Sequence, residues 1–362
     1  MRRLTLAAVL LGFTVVVLGA YVRLTAAGLG CPDWPGCYGH ITPLGAERSL
    51  ADGAALPGPP LDVTKAWHEM IHRYAASTLG FLIVLIAALG IASRRESPRR
   101  ARYAAALLGI VVLQGALGML TVTWLLRPFI VTLHLLFGLT TLGLLWWLWL
   151  SLRDESRAEL DEAARVQGTG RAGLLRGAGG PVRHESAAEP RALAWVGRLA
   201  VLALVVLAAQ IALGGWTSSN YAAIACPDFP TCQGSWWPPM DYRDAFVLWH
   251  APSIDYEGGI LTNAARRAIH VTHRMGAAVT ACVLIAAVIA ALRQHVLPRP
   301  RTVAWFVLAA LAAQLAIGIS MVVRGFPLWL ATAHNAGAAL TLLAVLALIH
   351  SLRVAHPARG PA

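Results

Sequence analysis

Eight long apolar segments are the feature that most limits how this chain can fold. A helix needs about 20 apolar residues to cross a bilayer, and the 362-residue chain contains eight segments of that kind. Charged residues make up only 13% of the chain, whereas soluble domains average about 25%. The sequence therefore predicts an all-α polytopic membrane protein. The predicted spans are 4–22, 69–91, 104–124, 129–151, 194–216, 268–292, 302–323 and 328–350.

Positive charge is divided unevenly between the loops on the two sides of the membrane. The formal net charge of +12 could suggest a nucleic-acid partner, but the basic residues lie in short connections between spans. The connections on the side of the termini carry 19 Lys and Arg, and those on the other side carry eight. Because positively charged loops face the cytoplasm, we predict a multi-pass protein of the plasma (inner) membrane. Both termini are then cytoplasmic, and membrane lipid rather than nucleic acid surrounds the chain.

The sequence repeats itself after about half its length. Cys-Pro-Asp-Trp-Pro-Gly-Cys at 31–37 returns as Cys-Pro-Asp-Phe-Pro-Thr-Cys at 226–232. Three further landmarks recur 200 positions later: Gln114, Gly118 and His134 return as Gln314, Gly318 and His334. Such a repeat predicts two pseudo-symmetric four-helix bundles in tandem. We assign 1–151 to the first half, 194–362 to the second, and 152–193 to a polar cytoplasmic linker that is partly disordered.

Two cysteine pairs fall in loops that the topology places outside the cytoplasm. They are Cys31 with Cys37 and Cys226 with Cys232. Thiols oxidise readily outside the cytoplasm, so each pair can form a disulfide bond that staples its loop. Alternatively, a pair can exchange electrons or disulfides with a partner. Its presence in both halves favours the structural role for at least one pair. Cys282 lies alone in an apolar run and is predicted to pack in the core.

Each half carries one histidine near the outer start of its second span and another near the outer start of its fourth. The first half has His72 and His134, and the second has His273 and His334. Four-helix bundles build cofactor sites from side chains on facing helices, and paired imidazoles suit the iron of haem. The alternative is four hydrogen-bonded core histidines. Arg73 and Arg274 follow two of these histidines; they could bind haem propionates or extend to the membrane surface.

Residues 68–72 also match the zinc-protease motif H-E-x-x-H. The repeat argues against zinc, because His68 corresponds to Ile269 while His72 keeps its counterpart. Glu69 corresponds to His270, a second candidate ligand in that half. A carboxylate one turn before His72 can take up a proton or stabilise developing positive charge at a haem edge. The alternative is that Glu69 only caps the outer start of the second span.

Taken together, these residues resemble the haem A synthase family. The matching features are two homologous four-span halves, the outer cysteine pairs, Glu69-x-x-His72-Arg73, His134, His273-Arg274 and His334. The resemblance implies oxidation of the C8 methyl of haem O to a formyl group by successive hydroxylations, which gives haem A for cytochrome oxidase. It implies that His72 and His134 hold the substrate haem O and that His273 and His334 hold a permanent haem b. Glu69 matches the family's catalytic carboxylate, and Cys31 with Cys37 its outer-loop cysteine pair.

Other functions explain part of this pattern. A diheme b-type transmembrane electron carrier accounts for the four histidines, but it does not explain why Glu69 has no carboxylate counterpart in the second half. A zinc intramembrane protease accounts for residues 68–72 but lacks a third ligand. The further partners we consider are haem O synthase, an electron acceptor and a second copy of the chain as a homo-oligomer.

Overall fold

The computed structural model describes residues 1–56, 58–172, 188–249, 254–294 and 298–355. Within these ranges the chain folds into α-helices joined by loops, with one short 3-10 helix at Ala223–Ala225 and no β-strand. The helices are α1 (Arg2–Leu24), α2 (Pro43–Ala51), α3 (Val63–Ala92), α4 (Pro98–Thr123), α5 (Pro128–Ala172), α6 (Ala188–Ser219), α7 (Tyr242–Ala245), α8 (Asn263–Leu292), α9 (Pro298–Val323) and α10 (Leu328–Ala355).

Eight of the described helices are long and apolar enough to cross a membrane, which confirms the predicted spans. Side-chain caps set several of their starts: Asp62 Oδ1 accepts a hydrogen bond from the Lys65 N–H at 3.1 Å, and Thr262 Oγ1 accepts one from the Ala265 N–H at 3.2 Å. Such caps satisfy backbone donors that the first helical turn leaves free. As a result α3 begins at Val63, six residues before the predicted span.

The predicted linker at 152–193 is helical at both of its ends. Helix α5 continues to Ala172, and α6 begins at Ala188. The helices thus continue through polar residues of this stretch rather than ending where the apolar segments end. The centre of the predicted linker, 173–187, lies outside the described residues.

Contacts between helices follow the repeat. In the first half α1 contacts α3 and α5, and α4 also contacts both α3 and α5. In the second half α6 contacts α8 and α10, and α9 also contacts both α8 and α10. These contacts are consistent with two four-helix bundles. Helices α5 and α10 touch each other, α5 also touches α6, and α1 touches α10.

One apolar core runs through both halves. Buried side chains of α5 and α10, among them Leu145 and Leu348, belong to a single cluster. The indole Nε1–H of Trp146 donates to the carbonyl of Leu343 across the boundary, at 3.0 Å. Large apolar side chains are also exposed on the outside of the spans, among them Phe81 and Phe306, as expected of membrane-spanning helices. Cys282 lies on that exposed surface, so its predicted place in the core is wrong: its helix turns this residue away from the bundle.

Candidate functional site

Two histidines lie near each other within each half. His72 lies on α3 and His134 on α5, each near the N-terminal end of its helix; His273 on α8 and His334 on α10 repeat this arrangement. Each pair is close enough for its two imidazoles to interact electrostatically. All four residues are half-buried. The structure therefore brings together the histidines that the sequence pairs.

A glycine on a neighbouring helix lies against each imidazole. A methyl group added at Gly19 would come within 3.0 Å of Cε1 of His72, and one at Gly214 within 3.2 Å of Cε1 of His273. Ordinary carbon contacts are about 3.5–4.0 Å, so a side chain at either position would crowd the ring. The same relation joins Gly118 with His134, at 3.3 Å, and Gly318 with His334, at 2.9 Å.

A glutamine four residues before the glycine binds three of the four histidines. Gln210 Nε2 donates to the backbone carbonyl of His273 at 2.9 Å and lies 3.0 Å from its ring Nδ1. Gln114 Nε2 donates to the carbonyl of His134 at 2.9 Å and lies 3.4 Å from its ring Nε2. Residues four apart share one face of a helix. The glutamine amide and the space left by the glycine therefore both lie beside the same imidazole. The third pair is Gln314 with His334, whose Nε2 atoms are 3.4 Å apart.

The carboxylate of Glu69 is buried between a cysteine loop and an arginine. Its side chain has only 5% of its surface exposed. Oε2 accepts a hydrogen bond from the backbone N–H of Cys31 at 2.9 Å, and Oε1 accepts one from Nη2 of Arg73 at 2.6 Å. The helix start is capped by Asp62. The interpretation of Glu69 as a mere helix cap is therefore wrong.

Arg73 fastens the first cysteine loop to α3. Its Nη1 donates to the carbonyls of Asp33 at 2.9 Å, Pro35 at 3.3 Å and Gly36. Neither of the predicted environments, propionate groups or the membrane surface, accounts for these bonds. A propionate contact of Arg73 or Arg274 stays a prediction.

The second half keeps this arginine anchor but replaces the carboxylate. Nη2 of Arg274 donates to the carbonyl of Asp228 at 2.8 Å, and Nη1 to that of Thr231 at 2.7 Å. Its Nε donates to ring Nε2 of His270, at 3.2 Å. His270 thus takes the place of Glu69 beneath its loop, while His273 is the histidine that interacts with His334.

Both cysteine pairs form disulfides, and their loops fold alike. Cys31 is bonded to Cys37, and Cys226 to Cys232. After each pair the chain reverses through two residues with positive φ: Tyr38 and Gly39 at +53° and +78°, and Gln233 and Gly234 at +56° and +74°. Positive φ at both central residues is typical of a tight hairpin turn, which favours glycine. The disulfides are compatible with either role predicted for the pairs.

An aspartate organises each turn. Asp33 accepts hydrogen bonds from the backbone N–H groups of Tyr38 at 2.6 Å and Gly39 at 2.8 Å. In the second loop the hydroxyl of Thr231 and the backbone N–H groups of residues 233 and 234 donate to Asp228. These donors stabilise the carboxylate and lower the pKa of Asp228 to about 2.

His68, the first residue of the H-E-x-x-H match, contacts α1. Its ring meets the ring of Tyr21 edge-on, with 5.0 Å between centroids. Among the described residues, no group of three His, Cys, Asp or Glu side chains could hold a metal ion. Within the described residues, the fold therefore places no further ligand beside the H-E-x-x-H motif to complete a zinc site.

Sequence reasoning missed three parts of this arrangement. It did not identify Gln210 and Gly214 as neighbours of His273, or Gly19 as the neighbour of His72. The signal was present, because Gly19 and Gly214 are separated by 195 positions, as are Cys31 and Cys226. The loop carbonyls bound by the two arginines could not be found in this way, since backbone groups leave no mark in a sequence.

Comparison with known proteins places the chain in a family. The family model described as cytochrome oxidase assembly protein, COX15-CtaA, matches residues 2–346. The haem A synthase of Shewanella oneidensis is 38% identical to this chain, over 97% of the chain and 95% of that protein. The haem A synthase of Paracoccus denitrificans is 30% identical over 96% of the chain and 84% of that protein. The haem A synthase of Methylobacterium nodulans is 28% identical over 91% and 85%. The chain belongs to the COX15-CtaA family of cytochrome oxidase assembly proteins.

Proposed function

We propose that the protein is a haem A synthase, an oxidoreductase that converts haem O to haem A for the assembly of cytochrome oxidase. The reaction oxidises the C8 methyl to a formyl group through successive hydroxylations. The observation that carries this proposal is the pair of neighbouring, half-buried histidines in each half. It is supported by relatives named haem A synthase that match nearly the whole chain.

The two histidine pairs are the residues that would hold a haem iron in each half. The two histidines of a pair lie on two helices of the same bundle, and both of these helices contact the other two helices of that bundle. A glycine leaves room beside each imidazole ring. Paired imidazoles are a common haem ligation. In this proposal His72 and His134 bind the iron of the substrate haem O, and His273 and His334 bind that of a permanent haem b. Bound haem iron supplies the redox chemistry; the chain supplies ligands, orientation and a dry environment.

Glu69 is the group that distinguishes the two halves chemically. It is one helical turn from His72, buried, and held by Cys31 and Arg73. A carboxylate fixed in this way can stabilise positive charge at the rim of the substrate or receive a proton from it. The second half has His270 at this position, which supports a holding rather than a reacting role for that half.

Pigment analysis tests the proposal. The protein is expressed in cells that make haem O but lack their own haem A synthase, and the haems are extracted and separated by chromatography. We expect haem A, together with hydroxylated haem O. A diheme electron carrier would instead contain a single haem type and no hydroxylated or formyl haem, and that result would reject the proposal.

The same proposal assigns the surroundings of the protein. The eight span helices lie in the plasma membrane, with both termini in the cytoplasm and the cysteine loops outside. Haem O synthase, as the source of the substrate, an electron acceptor and a second copy of the chain remain the proposed partners.

A further inference from the structure

We propose that His72 is the exchangeable ligand of the substrate site because residue 15 lacks the amide that holds the other three histidines. In this view Gln114, Gln210 and Gln314 are positioning residues, and the change at residue 15 lets the first half take up and release a haem. The inference rests on the proposed function, since it concerns how tightly each half holds its haem.

Alignment of the two halves shows that His72 is the histidine without a glutamine. Gly19 and Gly214 lie against equivalent imidazoles, and the residues four positions before them are Val15 and Gln210. Nδ1 of His72 is buried without a partner, as it is in His134 and His334; what sets His72 apart is that no described side chain hydrogen-bonds its ring, whereas a glutamine lies beside each of the other three. Thus the first half keeps the gap beside the histidine but not the amide.

A second position differs between the two halves together with the first. In the second half a methyl group added at Gly276 would collide with Oε1 of Gln210. The residue equivalent to Gly276, three positions after His72, is Ala75. A glutamine at position 15 would therefore lack the space that Gly276 leaves for Gln210. The first half therefore pairs Val15 with Ala75, and the second half pairs Gln210 with Gly276.

The missing amide matters because of what a ligating imidazole needs. When one ring nitrogen binds a metal, the other carries a proton and requires an acceptor, which fixes the ring and strengthens the ligand. The Oε1 atoms of Gln114, Gln210 and Gln314 are buried and have no hydrogen-bond partner among the described residues. An amide that turns by 180° exchanges its oxygen and nitrogen, so each glutamine can supply that acceptor when Gln114 and Gln210 give up the bond they now donate to the histidine backbone carbonyl. His72 has only an aliphatic side chain at the corresponding place.

The kinetics of haem loss test the inference directly. Wild-type protein loaded with haem b is mixed with excess apomyoglobin, and the transfer is followed in the Soret band. We expect a fast phase from the first half and a slow phase from the second, assigned by their disappearance in His72→Ala and His273→Ala. The double variant Val15→Gln/Ala75→Gly gives the first half the glutamine and glycine of the second half. It should slow the fast phase by about 10–100-fold, the usual effect of a partner that supports a metal ligand. The slow phase should not change.

The converse variant is the matched experiment in the other half. Gln210→Val/Gly276→Ala should accelerate the slow phase by about the same factor. It should also raise the midpoint potential of that haem, since a weaker ligand stabilises the ferric state less. A purely structural role of Gln210 would leave that potential unchanged. Gln210→Glu keeps an acceptor and should preserve slow loss.

The outcomes separate the inference from the function on which it rests. Unchanged kinetics in Val15→Gln/Ala75→Gly, with both phases present in the wild type, would overturn the inference and leave the function standing. If the wild type binds no haem, or if the histidine variants remove neither phase, the proposed function fails. Should the first-half variant not fold, unchanged kinetics and potential in Gln210→Val/Gly276→Ala would overturn the inference instead.

Discussion

At the scale of single residues, Glu69→Gln is the substitution that tests catalysis most directly. Glutamine can still accept the hydrogen bond from the Cys31 N–H, so the loop should stay in place. What it removes is the negative charge opposite Arg73. Loss of one such electrostatic group costs roughly 10²–10³ in rate at well-studied sites. We expect the variant to fold, to keep its second-half haem and to accumulate haem O, as measured by pigment extraction.

The second half provides the control for this substitution. His270→Gln changes the partner of Arg274 at the equivalent place, and it should leave the conversion of haem O intact. Glu69→Asp keeps the charge with a shorter reach and should retain part of the activity. Near-normal haem A from Glu69→Gln, in cells without the native enzyme, would show that the carboxylate only anchors the loop.

Much of the site at this scale could be predicted because the two halves of the sequence can be compared with each other. The repeat separates His72, which has a counterpart, from His68, which does not. The contact between Glu69 and Arg73 also follows from their spacing on a helix. The place of Gln210 was harder to find, because the offset between the halves is 195 in the first helix but 201 at His72 and His273. Loops of different length between these helices cause that shift.

At the scale of elements, the first cysteine loop joins the disulfide to the proposed catalytic group. The Cys31 N–H binds Glu69, and the loop carbonyls bind Arg73. If the disulfide only staples this loop, Cys31→Ser/Cys37→Ser should lower the melting temperature and the formation of haem A together. The expected loss of stability is about 2 kcal/mol, at the lower end of the usual range for native disulfides.

The second loop is again the control for the cysteine variant. Cys226→Ser/Cys232→Ser should lower the melting temperature similarly but affect haem A less, because no carboxylate lies beneath that loop. Haem A formation that is lost in Cys31→Ser/Cys37→Ser at an unchanged melting temperature would instead indicate a redox role for the first pair.

Asp228 gives the second loop a defined pH dependence. Its pKa is lowered from 3.8 to about 2 by the hydrogen bonds it accepts. A lowered pKa means that the carboxylate stabilises the folded loop at pH values above 3.8 and loses this effect as the pH falls through 2. We expect slow hydrogen exchange at residues 233 and 234 from pH 7 down to about 4, and faster opening below that range. An Asp228→Asn variant that exchanges as slowly as the wild type at neutral pH would contradict this account.

The long helices were predictable and their ends were not. Runs of about 20 apolar residues identify spans well because lipid permits few alternatives. The caps at Asp62 and Thr262 lengthen α3 and α8 beyond the apolar part, and polar residues continue α5 to Ala172. The short helices α2 and α7 lie in loops whose composition gives little signal, since tertiary contacts hold them.

At the scale of the whole molecule, the two halves are held together at both ends. At one end Nη2 of Arg299 on α9 donates to both carboxylate oxygens of Asp154 on α5, at 2.8 and 2.9 Å. At the other end Arg23 on α1 donates to the carbonyl of Ser218 at 2.6 Å and lies 4.0 Å from the ring centre of Tyr221. With the shared core between them, these contacts fix the relative position of the two histidine pairs.

The orientation of this assembly in the membrane follows from charge and is the remaining prediction. The loops that contain the cysteine pairs lie on the side with eight basic residues, and the termini lie on the side with 19. Since positive loops stay in the cytoplasm, a reporter fused after Arg353, or inserted within 152–193, should report cytoplasm. One inserted near His40 should report the outside, where disulfides persist. An outside signal from the 152–193 insertion would show that both halves have the opposite orientation. The disulfides, Glu69 and all four histidines would then lie at the cytoplasmic face, where the glutathione pool keeps thiols reduced and the stapling role of Cys31–Cys37 would fail.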